Sequence, residues 1–225
     1  MKIISLLFII STVCGYTQTP SVSLNFLPLF GKEKLEPGRK YFSSTITDSI
    51  SIESFRFYVS NISLLKNDKI VYQPKGSFYL IDLEKKLQIP MNTDTTLDFN
   101  SVKFNIGIDS LTNVSGVMGG DLDPTNGMYW TWQSGYINFK LEGKSKLCNT
   151  RNNLFQFHIG GYQRPFNTLQ VLKLPVKNKS KIEIIIDVEN FLRQIDLQKT
   201  NEIMSPGEKA MRAAKLYHAN FNSRE

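Results

Sequence analysis

Cysteine, histidine and tryptophan each occur only twice in this chain of 225 residues, and each scarcity closes off a class of protein. With Cys14 and Cys148 alone, a multi-disulfide framework is excluded and the fold has to rest on its core. The two histidines, His158 and His218, sit in no zinc-type spacing such as H-E-x-x-H. A G-x-S-x-G elbow, a C-x-x-C pair and a phosphate-cradling glycine loop are absent as well. The 20 acidic residues offer carboxylate pairs in principle, but any chain so supplied does the same. Hydrolysis therefore ranks third among functions, and no enzyme is expected. The leading apolar run is too short to span a bilayer as a stable helix, and no later run is long and apolar enough to do so.

Charge of one sign is not concentrated either. The formal net charge is +7, yet Lys and Arg are interspersed with Asp and Glu and accompany no nucleic-acid motif, so a solvated surface is expected and nucleic acid is not. Weak attraction to an anionic cell surface stays open. The opening MKIISLLFIISTVCGYTQTP has Lys2, an apolar run from Ile3 to Ile10, and small or polar residues from Ser11 onward. This is the pattern of a secretory signal peptide, placed at residues 1–18 and followed by a single domain at 19–225, which makes the mature protein periplasmic or secreted. A lipid anchor on Cys14 is the less favoured reading, because branched Val13 precedes it where a small residue is expected. If Cys14 leaves with the leader, Cys148 stays unpaired.

What is present is alternation. Val102, Phe104, Ile106 and Ile108 recur with period two, as do Ile137, Phe139 and Leu141, and Ile182, Ile184, Ile186 and Val188. In SFRFYVSNISLL the apolar phase shifts from Phe55, Phe57 and Val59 to Ile62 and Leu64, which predicts a bulge or bend at Ser60 and Asn61. Further strands are expected at Gly76 to Leu83 and Leu154 to Ile159, with loops rich in Pro, Gly, Asn and Thr between them. Spaced strands without intervening helices predict an all-β fold, mainly an antiparallel β-sandwich. Near the end, MSPGEKAMRAAKLYHANF supplies Ser205, Pro206 and Glu208 as a capping box, then Ala210, Ala214, Tyr217 and Phe221 at helical spacing. A C-terminal α-helix at about 206–221 follows, docked on the sandwich.

Three features carry candidate chemistry. In LFQFHIGG, Phe155, Phe157 and Ile159 share one strand face, so His158 lies on the other with Gln156 and Leu154. A histidine there is commonly a hydrogen-bonded surface group; the sharper reading is a neutral imidazole that ligates a metal. Trp130 and Trp132, spaced to face the same side of an extended chain, most often mean core packing, with a sugar-stacking platform or an indole beside a redox metal as functional readings. Asp121, Asp123 and Asn126 approach a calcium-loop spacing, but the register is one residue off and Pro124 interrupts it.

The blocks LDPTNGMYWTWQSGYINFKLEG, FRFYVSNI upstream, and FHIGGY and IMSPGEKA downstream resemble the MbnP-like family over nearly all of the mature chain, from about Ser23 to Phe221. These are periplasmic copper-binding partners encoded in methanobactin cassettes, similar in turn to the copper proteins MopE and CorA of methanotrophs. The resemblance implies an exported, β-rich copper-binding protein with a di-haem MbnH-like protein as partner, which oxidises a tryptophan to kynurenine. Trp130 and Trp132 are the candidates for that residue, and His158 matches a family histidine. The sequence departs from the family where members carry further histidines, having Phe26 to Phe30 and Thr200 to Glu202 instead. His218, or soft ligands such as Met128, Met118 or Cys148, would then complete a copper site. The alternative function is a non-metal interaction module that offers an aromatic surface to a protein or glycan.

Overall fold

The computed structural model describes residues 22–43, 49–93 and 97–224. The leader expected at 1–18, including Cys14, lies outside the described residues. The organising element is an 18-residue strand, Ser49–Lys66, which pairs along one side with Gly135–Ser145 and then Ser101–Ile106, and along the other with Phe78–Asp82. Outward from this centre the larger sheet continues through Gly135–Ser145 to Leu154–Gly160 and Glu202–Ile203, and through Ser101–Ile106 to Gln170–Pro175. A smaller sheet is built around Val22–Phe30 and Lys181–Asp187, flanked by Phe221–Ser223 and Gln88–Met91.

The sheets meet through the apolar face of each strand. Phe26 of the smaller sheet stands edge-on to Phe57 and Phe104 of the larger, at ring separations of 5.2 and 6.0 Å. Burying a phenylalanine in such a layer stabilises by about 2–3 kcal/mol, and several others, among them Phe55, Phe139, Phe155 and Phe157, are likewise buried there. The helix Glu208–Ala219 closes the layer: Ala210, Ala213, Ala214 and Tyr217 are buried, and the Tyr217 ring stacks on Phe139 at 4.5 Å.

The β-sandwich with a C-terminal helix is the observed architecture, with three differences in detail. Most ladders are antiparallel, but Val22–Phe30 runs parallel to Lys181–Asp187, and Leu154–Gly160 parallel to Glu202–Ile203. Alternation reports which residues share a face and is blind to strand direction. The helix begins at Glu208 rather than 206, because the capping box does not form: Gly207 occupies the cap without a side-chain bond, and Phe221 belongs to the short strand that follows. Val188 opens a helical turn, Val188–Arg193, whose cap is Asp187 accepting from the Asn190 N–H at 2.8 Å. The bend in Ser49–Lys66 falls where the apolar phase shifts, with Asn61 at φ 52° and a register slip between Ser60 and Ser63.

Candidate metal and indole site

The site stands on the outer face of the larger sheet. Alternation in Leu154–Gly160 sends Phe155, Phe157 and Ile159 into the main core and leaves Gln156, His158 and Gly160 on the opposite face. Most sandwiches leave that face to water; here the segment 109–132 folds across part of it. Polar bonds tie it down. Asn113 Oδ1 accepts the Tyr136 N–H at 2.9 Å, the Tyr58 hydroxyl donates to the Asp121 carbonyl at 3.1 Å, and Arg56 Nη1 donates to the Asn126 carbonyl at 3.1 Å. Beneath it Tyr58, Leu80, Ile108, Leu122, Met128, Trp130, Tyr136 and Ile137 form a second apolar cluster.

Trp130 lies on the two-residue strand Tyr129–Trp130, which pairs with Gly135 and Tyr136. Its indole covers Gly160: a β-carbon there would stand 2.7 Å from Cζ3, so no larger residue fits beneath it. Trp130 is 6% exposed, whereas Trp132 is 63% exposed. The expected pairing of the indoles holds, with ring centroids 5.6 Å apart, but a turn at 131–134 carries Trp132 to the surface. Packing accounts for one of them only.

His158 shares the face of Gly160, two residues back, which on a strand is about 6.6 Å. It is 7% exposed, and its Nε2 lies 2.6 Å from Glu142 Oε1. Gln156 Nε2 at 3.4 Å and Lys140 Nζ at 3.6 Å converge on the same oxygen. The hydrogen bond to His158, helped by Lys140 and opposed by burial, lowers the Glu142 carboxyl to about 2. Register places Lys140 between His158 and Arg56, and Arg56 opposite Asp82. Arg56 Nε approaches Asp82 Oδ2 to 3.0 Å as an ion pair, off the line of a hydrogen bond.

A donor the sequence did not suggest stands on the other side of the histidine strand. Glu202 and Ile203 pair in parallel with Gln156 and Phe157, and a β-carbon at Gly161 would meet Pro206 Cβ at 3.1 Å. Met204 lies in the short stretch of chain between these two approaches. Ile203 is buried in the main core with Phe157, and Met204, just past the end of that strand, is half-buried.

The remaining candidates are placed elsewhere. His218 is on the helix that packs the inner layer, and its Nε2 lies 3.2 Å from the Val171 carbonyl at the far edge of the sheet. Met128 is fully buried in the outer apolar cluster, and Met118 is 40% exposed on the covering segment. Cys148 is a free, buried thiol of the main core, pushed up in pKa by burial. Asp121 accepts from the Leu80 N–H and Lys86, Asp123 from Thr125, and Asn126 donates to the Gly120 and Asp121 carbonyls; these bonds knit the covering segment. Among the described residues no three His, Cys, Asp or Glu side chains converge to hold a metal ion. The outer face of the histidine strand does carry one imidazole and, two residues on, one indole over Gly160; an imidazole completed by a soft donor such as a thioether would suit Cu(I) better than the hard cations that need oxygen.

The fold and the sequence both have relatives. A family model described as MbnP matches residues 19–205. Among solved structures, MbnP from Methylosinus trichosporium matches with a TM-score of 0.58 and 14% identity, covering 83% of this chain and 81% of that one. At that identity the likeness is one of fold. Comparison with curated proteins gives no match.

Proposed function

Because the chain belongs to the MbnP family, we propose that it is an exported copper-handling protein, without catalysis of its own, that holds Cu(I) between His158 and Met204 beneath the indole of Trp130. The observation that carries this reading is the single strand face on which His158 and, two residues on, Gly160 beneath Trp130 stand, with the segment leading to Met204 paired to the same strand. An imidazole and a thioether favour Cu(I) through their softness, and two protein ligands leave room for a further donor. Trp130, packed against this face, is the indole that a di-haem MbnH-like partner would oxidise to kynurenine at the expense of an oxidant of the peroxide class, adding a polar donor on the same face. Among the described residues no helix is long and apolar enough to cross a membrane, which accords with an exported protein.

Titration of the metal-free mature protein with Cu(I) against a competing chelator tests this reading. One equivalent bound, lost in His158→Ala, is expected; no competition at any stoichiometry rejects it. Mass analysis of the peptide bearing Trp130 and Trp132, from protein produced with and without a di-haem partner, tests the oxidation.

A second reading rests on a different observation. Trp132 is exposed, and so are Leu111, Val114, Val117 and Met118 on the covering segment. Such residues suit a face that docks a protein or glycan without metal. Binding of such a ligand that persists in His158→Ala would favour it.

A further inference from the structure

The copper reading names His158 as a ligand but leaves open which nitrogen binds. We infer that Glu142 is a positioning residue: its Oε1 holds the hydrogen of His158 Nε2, commits the imidazole to the Nε2–H tautomer, and leaves Nδ1 as the ring nitrogen with a free lone pair. The ligation half of this inference rests on the copper reading; the tautomer half does not.

The argument starts from what surrounds one oxygen. Three side chains on two strands point nitrogens at Glu142 Oε1: His158 Nε2 at 2.6 Å, Gln156 Nε2 at 3.4 Å and Lys140 Nζ at 3.6 Å. The amide nitrogen and the ammonium can only donate, so that oxygen is an acceptor, and the short contact to His158 requires its proton on the imidazole side. An imidazole whose Nε2 donates has its other nitrogen bare. Burial fixes the choice, because a ring 7% exposed has little water to satisfy the opposite tautomer. The bond also spans two strands: Glu142 pairs with Gln156 and His158 with Lys140, so Glu142 reaches the ring along a diagonal of the ladder. This is the arrangement in which a carboxylate orients a metal-bound histidine and raises its basicity.

With only two histidines in the chain, nitrogen-15 NMR of the metal-free mature protein can read each ring directly, with His218→Gln as the assignment control. At mildly alkaline pH, His158 should show a protonated Nε2 and a bare Nδ1. Glu142→Leu should shift the ring towards a mixture of tautomers, while Glu142→Gln, whose carbonyl oxygen still accepts, should keep most of the original state. A purely structural role for Glu142 would leave the tautomer unchanged. On adding Cu(I), the Nδ1 resonance should move, and Glu142→Leu should bind about 10–100-fold more weakly. A wild-type ring protonated at Nδ1, or one indifferent to Glu142→Leu, overturns the inference. The Nε2–H tautomer in a protein that takes up no Cu(I) supports the positioning bond and refutes the copper reading by itself.

Discussion

The indole of Trp130 rests directly on Gly160, with room for no side chain between them: a β-carbon would lie 2.7 Å from the ring and 2.8 Å from the Tyr136 carbonyl. The glycine thus sets the depth at which the indole sits beside His158. Gly160→Ala should push the ring outward and also press the new methyl on the Tyr136 carbonyl, a backbone atom that yields only if the strand shifts. Overpacking of this sort costs about 1–3 kcal/mol. Urea unfolding should register that loss, and tryptophan emission should shift red. An unshifted spectrum at wild-type stability would mean that the indole does not lie on the strand.

The histidine strand is flanked by the strand of Glu142 on one side and by Glu202–Ile203, which leads into Met204, on the other. If Met204 supplies a thioether, Met204→Ala should weaken Cu(I) binding by at least about tenfold, or 1.4 kcal/mol. His218→Gln should leave affinity as it was, because that ring is engaged with the Val171 carbonyl at the exposed far edge of the sheet. Chelator competition on both variants is the measurement. Equal affinities for Met204→Ala and wild type would remove the thioether from the site.

The two halves of this donor pair differ in how far the sequence reveals them. The phase of LFQFHIGG places His158 on the outer face because alternation is a local property of one strand. The bend at Asn61 is legible for the same reason. Met204 depends on how a two-residue strand pairs with another strand more than forty positions earlier, and register between distant segments leaves no periodic trace. The exposure of Trp132 is an intermediate case: Gln133, Ser134 and Gly135 favour a turn, and Ser134 adopts φ 48°, yet even spacing suggested continuous strand. The capping box at Ser205 shows the opposite error, in which a local motif yields to the path that carries Pro206 against Gly161.

Unequal burial of the two indoles should be visible in solution. Trp132→Phe leaves Trp130, whose emission should be blue-shifted and poorly quenched by iodide. Trp130→Phe leaves Trp132, which should quench readily. Similar quenching in both variants would show that the covering segment 109–132 opens on the timescale of emission, and would weaken any role for Trp130 as a fixed wall of the site.

Acid should expose the contribution of Glu142. Its carboxyl is held at about 2 in the fold, chiefly by the hydrogen bond to His158, against 4.5 as its ordinary value. A group whose pKa is depressed on folding binds fewer protons in the folded state, so it stabilises above its unfolded pKa and loses that contribution as pH falls through the folded one. In the metal-free protein, Glu142→Gln should therefore be less stable than wild type at neutral pH by about 1–3 kcal/mol, the upper figure following from the shift and the lower from partial exposure of the side chain. The gap should narrow from pH 4.5 downward and nearly close by about pH 2. The lowered carboxyls of Asp123, Glu183 and Asp196 are present in both proteins and cancel from the difference. Denaturant unfolding of the pair at neutral pH and near pH 3 measures it; a gap independent of pH would assign the loss to packing and would leave the charge on Glu142 without a part in holding His158.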